Sequence, residues 1–596
     1  MDLALYSHIM WNMVHGSLHT SILGANFLGH HAHLILFLFA PVYLLFQSPL
    51  TLLFLQALFL GISAYPIFLI AKTQLNRAFG LGIVSIYLVY PGLWYTNSFE
   101  FHVTAFSTAF LSFMFYHFTN KQFKRFLLFM VLSLLCQENM PLLIIPFGVY
   151  VFFTKRKPKW SLVPISLAGF WLLAAVGKII PHFNNNTLCF IGRYKHFGTS
   201  ISEVVRYFVV NPLETIGILF SKDKVLFIIQ LFIPVCFFSL MDPMILTISL
   251  VLIQHLASSN IMEHSIQFHY TAEIIPFIFV SAIWGIKRFI ESPVIQRHLS
   301  QRFIITCLLV VGITMSISFG PHLSLILDRE EFKRDIWDYQ KARFVEMIPS
   351  DASVVATFEF LPWLTARENL YSFHYASQGF STFTGKPYDL PEEIDYALID
   401  FNDLFTFNLL HIPGTTDVNA RKILSSTDWG VVDMIGSIAL FKKKNKSRYS
   451  VYEVLDGPPP VRNMENVVIN NELEFVGYDV NEEIDIVQGK QVECFLYWKA
   501  LKNIQKEYGV FIEIVDARGN IQYQFLRSIC YRIFPTYDWS EEDVVKESCN
   551  LLIPEAIKEQ ECSVLIRVFA KGRGDMWPVN EEGITEPMQP ICKITL

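Results

Sequence analysis

Charge is scarce in this sequence. Only 17% of its 596 residues are Asp, Glu, Lys or Arg, against about 25% in an ordinary soluble domain. With a mean hydropathy of +0.38, that excludes a disordered chain, a nucleic-acid binder driven by net charge, and a wholly soluble enzyme. Cysteine is sparse too: nine residues and no Cys-x-x-Cys, so neither a zinc ribbon nor a dithiol redox motif is indicated. Residues 326–447 have no Gly-rich phosphate loop and no nucleophile elbow. No apolar segment or signal peptide precedes residues 1–33 to carry them across a membrane, so one upstream helix is expected to be missing from this reading frame.

What is present divides in two. Residues 1–325 carry 19 Lys and Arg against 10 Asp and Glu; the remainder carries 28 against 43. An apolar, mildly basic half joined to an acidic half reads as a membrane domain bearing soluble ones. About ten spans are expected, near residues 50–71, 79–97, 103–118, 126–138, 140–154, 161–180, 225–240, 243–258, 270–286 and 303–320. The run 34–47, short and holding Pro41, reads as an in-plane or re-entrant helix. Basic clusters at Lys72/Arg77, Lys121/Lys124/Arg125, Lys155/Arg156/Lys157/Lys159 and Lys287/Arg288/Arg297/Arg302 fall on alternate connections, which places them together in the cytoplasm and both ends outside it.

The external connections gather the scarce ionisable groups. They hold Asp2 with His8, His15, His19, His30, His31 and His33; Glu100 and His102; Glu138; Arg193 and Tyr194; and Glu263, His264, His269 and Tyr270, with Glu273 just inside the next span. Acids and histidines at membrane depth are costly, so they pair with one another or serve a site. Carboxylates can act as a base or bind a cation, and Arg and Tyr can hold a phosphate. His15 and His19, four apart, read equally as one wet helix face, and His30-His31-His33 lacks a second ligand pair at zinc spacing.

Asp2-Leu3-Ala4 through Trp11-Asn12, Phe27-Leu28-Gly29-His30, Ala40-Pro41-Val42-Tyr43, Gln56-Ala57, Tyr90-Pro91, Phe99-Glu100-Phe101-His102, Gln137-Glu138, Arg193-Tyr194 and His269-Tyr270 with Pro276 resemble, in order and spacing, a family of bacterial membrane proteins catalogued as domain of unknown function 2079. The resemblance covers most of residues 1–440. The family is in turn similar to GT-C glycosyltransferases, which take sugar from a polyprenyl-phosphate donor at the outer membrane face. That implies an acidic group after the first helix, here Asp2, as base or metal ligand, with Glu100 and Glu138 assisting. It implies Arg193, Tyr194, His269 and Tyr270 on the donor phosphate, and His30 and His102 as secondary candidates. A divalent cation, Mg or Mn, would sit at Asp2 if the reaction uses one. The family's Asp-Phe-His element reads Glu100-Phe101-His102 here, one methylene longer in reach.

Residues 326–447 alternate strand-like and helical runs and read as a small α/β extracytoplasmic subdomain, a lid or platform; its Arg367 reads as a surface cation or a phosphate contact. Lys442–Ser450 and Gly457-Pro458-Pro459-Pro460 punctuate the chain like a linker. Short alternating runs across 448–596 then predict an antiparallel β-sandwich resembling jelly-roll modules. Exposed, Trp498, Tyr537 and Trp539 would stack on sugar; otherwise they are core. Cys494, Cys530, Cys549, Cys562 and Cys592 cannot all pair within one chain, and no connectivity follows.

The resulting expectation is a glycosyltransferase in a bacterial cytoplasmic (inner) membrane. It would move sugar from a polyprenyl-phosphate carrier to an envelope lipid, glycan or protein acceptor on the extracytoplasmic face. The alternatives are a non-catalytic glycan-binding scaffold anchored in the bilayer, or a transporter, against which stands the gathering of polar residues on one side of the membrane.

Overall fold

The computed structural model describes residues 1–154, 157–184, 189–321, 333–412, 414–425, 428–445, 450–555, 562–572, 578, 584 and 587–595. Lys155 and Arg156 of one basic cluster and the middle of the expected 442–450 linker lie outside the described residues. Two compact units are present, Asp2–Glu331 and Phe332–Leu596.

The first unit is helical. Pro49 opens a helix behind Ser48, whose hydroxyl accepts from Leu50 N, and a second helix follows at once to Gln74. Asn76 caps the next, accepting from Ala78 N and Phe79 N, and Pro91 starts the one after. Among the described residues three helices are long and apolar enough to cross a membrane: Pro49–Gln74, Lys159–Phe183 and Gln301–Phe319. Arg77–Leu88 and Pro91–Ser98, bent by 41°, make a fourth if counted as one span. The other expected spans are helical but short, among them Thr104–Thr119, Phe123–Leu134 and Pro141–Phe153. The expected span 225–240 ends as an α-helix at Phe232, where Pro234 and two left-handed residues, Cys236 (φ 50°) and Phe237 (φ 57°), turn the chain. That of 243–258 begins in 3-10 geometry after Asp242, which caps it and pairs with Arg288 at 2.8 Å. The run 34–47 forms a short helix, Leu36–Leu45.

Aromatic packing fills this unit. Phe118, Phe126, Phe147 and Trp160 meet at 5.0–6.2 Å, and Phe39, Phe59 and Phe106 at 4.3–5.3 Å. The helix Ile275–Glu291 lies so close to the Phe238–Met241 turn that a Cβ on Gly285 would come within 1.9 Å of Phe238 O.

The second unit opens with the helix Ile336–Glu346, its N-terminus closed by a capping box between Asp335 and Asp338. A five-stranded sheet follows, ordered Leu370–Ser372, Val354–Ala356, Tyr396–Asp400, Ile438–Lys443, Trp429–Ile435. Its first three strands are parallel and its last two antiparallel. Gly436 turns that closing hairpin at φ 56°, and its missing side chain admits the Trp337 ring. Glu359, just past one parallel strand, lies 2.6 Å from Lys341 and beside Asp400 at the end of another.

Beyond it, two antiparallel sheets share one core that includes Trp498, Val510, Ile512, Val545, Val564 and Ile566. This is the expected β-sandwich. Trp498 and Trp539 are buried in it, the first donating to Glu547 and the second to Phe534 O, so neither faces a sugar; Tyr537 is half-buried under Arg421. Glu547 forms a fully buried pair with Arg527. The described cysteines are free thiols, and Cys494, Cys530, Cys549 and Cys562 are buried. Arg367 is buried too, donating to the carbonyls of Leu364, Pro349 and Ala352: it ties a turn and is no surface cation.

Candidate functional site

The helix Asp2–Val14 places Asp2 in its first turn, and the next peptide N–H, that of Leu3, donates to Glu100 Oε2 at 2.8 Å. Glu100 reaches that position from a left-handed backbone, φ 50°. Buried Gln56 holds the turn there. Its amide donates to the carbonyls of Thr96, Asn97 and Glu100, and its oxygen accepts from His102 N at 2.8 Å. A strained residue fixed this firmly is the pattern of a site under geometric demand.

From there the polar groups run in sequence through the unit. Asp2 Oδ2 lies 3.6 Å from His102 Nε2, and the His102 ring stacks on His269 with centroids 3.4 Å apart. His269 packs against Tyr270, and Tyr270 lies under the Arg193 guanidinium at 6.0 Å. Arg193 pairs with Glu263 at 2.5 Å; His255 stands 3.5 Å from Glu263 and 3.6 Å from Glu273; Asn139 donates to Glu273 at 3.0 Å. A cavity of about 40 Å³ opens among Arg193, Tyr270, His255, Glu263, Glu273 and their neighbours.

The electrostatics follow from burial and neighbours. Asp2 keeps 23% of its side-chain exposure, so it is reachable. Burial, then the Glu100 carboxyl, pushes it up to about 7. Burial holds His102 down at about 3 and His269 well below the ordinary range, so both are neutral. Against the burial that opposes its charge, Tyr270 and Glu263 hold Arg193 above its usual range.

Of the residues expected from sequence, Asp2, Glu100, His102, His269, Tyr270 and Arg193 therefore lie along one chain of contacts. Glu138 sits in a neighbouring cluster, where it accepts from His31 Nδ1 (2.6 Å) and from Ala32 N (3.2 Å), tying the 30–33 turn to its own. His30 packs edge-on to His31. Tyr6, one turn on from Asp2, bonds His33 at 3.0 Å and stands between the two clusters. Tyr194 turns instead to Gln254 O. Sequence reasoning missed His255 and Gln254; their one signal was an imidazole and an amide inside the otherwise apolar run 243–258.

Glu100 Oε2 is committed to the Leu3 N–H, and among the described residues no three His, Cys, Asp or Glu side chains converge as metal ligands.

No curated protein matches the sequence significantly. Residues 1–457 match the family described as predicted membrane protein, DUF2079. A match over that much of a 596-residue chain settles its family: the chain belongs to the DUF2079 predicted membrane proteins.

Proposed function

We propose that this protein is a membrane glycosyltransferase of GT-C type. It would transfer sugar from a polyprenyl-phosphate donor to an envelope acceptor on the extracytoplasmic face of a bacterial cytoplasmic membrane. One observation carries the reading: a reachable carboxyl poised near neutral pH and a buried-side Arg–Tyr pair lie on the same contact chain, joined through His102 and His269.

In this reading the acceptor hydroxyl gives its proton to the Asp2 carboxylate while its oxygen bonds the anomeric carbon. The bond from that carbon to the donor phosphate oxygen breaks, and its electron pair leaves with the lipid phosphate. Arg193, backed by the Tyr270 ring, meets the charge that develops there. Neutral His102 and His269 orient the carboxylate without competing for its proton. Gln56 and Glu100 position the helix start that bears Asp2. The short helices join the long ones as additional crossings, about ten in all, their polar faces turned to protein instead of lipid. Residues 326–447 form a platform and 448–596 a separate sandwich module.

The test is transfer of label from radiolabelled polyprenyl-phosphate sugars to a membrane-lipid extract by the purified chain. Transfer that disappears in Asp2→Asn supports the reading. Donor binding without transfer favours a glycan-binding scaffold.

A further inference from the structure

The cavity beside Arg193 is unusual in what it leaves unmade. Asn139 Oδ1, Gln254 Oε1, Glu273 Oε2 and Thr104 Oγ1 all line it, and each is buried without a hydrogen-bond partner. Leaving a buried acceptor unpaired is costly, so such a group is normally matched by a ligand or water. The amide and carboxylate oxygens only accept, the Thr104 hydroxyl can also donate, and His255 Nδ1 and Nε2 and His269 Nδ1 on the same lining are unpaired too, so the cavity calls for groups that both donate and accept. A cation would answer the oxygens alone, and charge argues against one. Glu263 and Glu273 are already faced by Arg193 and by His255, which stands within 3.6 Å of both. What remains is a neutral group that both donates and accepts, as a hydroxyl does.

Size narrows this further. A space of about 40 Å³ has room for a few oxygen atoms and not for a whole ring. It sits against Tyr270 and His269, which connect it to Asp2 on one side and to Arg193 on the other. We infer that this cavity is a hydroxyl-reading subsite, in which Asn139, Gln254, Glu273 and Thr104 accept from the hydroxyls along one edge of the donor's sugar and so set which sugar is used. The inference rests on the transferase reading for its ligand. It goes beyond it in assigning sugar selectivity to residues that touch neither the acceptor nor the phosphate.

The experiment is equilibrium binding by the purified full-length chain in detergent, with three probes: a bare short-chain prenyl phosphate, the same lipid carrying a hexose, and the hexose with one hydroxyl replaced by hydrogen. The hexose-bearing lipid is expected to bind about tenfold or more tightly than the bare one, with at least one deoxy analogue losing most of that gain. Gln254→Leu and Glu273→Gln should abolish the gain while leaving affinity for the bare prenyl phosphate unchanged. Equal binding of all three probes by the natural protein overturns the subsite without needing any variant to fold. Variants that weaken bare and sugar-bearing lipids alike overturn it as well. Sugar-selective binding with no transfer of label would sink the transferase reading and leave the subsite standing; no binding of any prenyl phosphate would end both.

Discussion

A carboxyl that titrates near neutrality changes state within the working range of a cell, and Asp2 is such a group. As a base it must be ionised, so the transfer rate is expected to climb as pH rises through about 7 and to level off above. A rate independent of pH between about 6 and 8 would remove Asp2 from that role. Asp2→Asn should cost about 10²–10⁴ in rate with the unfolding temperature unchanged, since the amide keeps the shape and loses the proton acceptor. Gln56 belongs to the same scale. Gln56→Leu leaves three carbonyls and the His102 N–H without their partner and releases the left-handed Glu100 turn, so a loss of about 2–3 kcal/mol is expected in thermal unfolding. Asp2, Glu100 and Arg193 were legible in the sequence because charge is rare in its first half, so each ionisable residue there stands out. His255 was not, because an apolar run of the right length hides a histidine that only the fold brings between two carboxylates.

At the scale of elements, hydropathy found where helices lie and overran where they end. The run 225–240 is apolar throughout, but its α-helix stops at Phe232 because Pro234 lacks an amide to donate and the two residues after Val235 turn left-handed. Alternating runs in the second half located six of the described strands there and missed others, such as Asn463–Ile469 and Gln589–Thr595, whose outer positions are mostly exposed. The same pattern could not say that Trp498 and Trp539 point inward. Contact between elements sets two expectations. In Gly285→Ala the new methyl meets the Phe238 carbonyl, so the helix Ile275–Glu291 must move off its turn; a drop in the unfolding temperature of the detergent-purified protein is expected, and an unchanged one would show that the approach is not tight. In the sandwich, Glu547→Ala leaves Arg527 charged and buried with no counter-ion. The cost should be about 3–5 kcal/mol, far more than removing an exposed pair such as Lys490–Glu483.

For the stability of the molecule, pH acts through Glu359 in the opposite sense to its action on Asp2 as a base. Burial, then the Asp400 carboxyl beside it, pushes Glu359 up to about 9 from an ordinary 4.5. The folded protein thus keeps a proton on Glu359 that the unfolded chain has already released, and this group's own contribution to stability falls as pH rises from about 4.5 to about 9. Glu359→Gln should flatten that decline when unfolding temperatures are compared near pH 6 and pH 9. The change from an apolar basic half to an acidic one at residue 325 was legible from charge alone; the two compact units divide after Glu331. The number of crossings was not, because a helix too short for lipid can still cross inside a packed bundle. Finally, the thiols of the sandwich carry a practical consequence. Cys494, Cys530, Cys549 and Cys562 are buried, and burial pushes each thiol up, so that little thiolate exists to react while the sandwich is closed. Beyond the label taken up at partly exposed Cys592 and exposed Cys307, alkylation at these four sites marks only molecules that have opened, and that further mass added over time is a built-in clock for how often this sandwich comes apart.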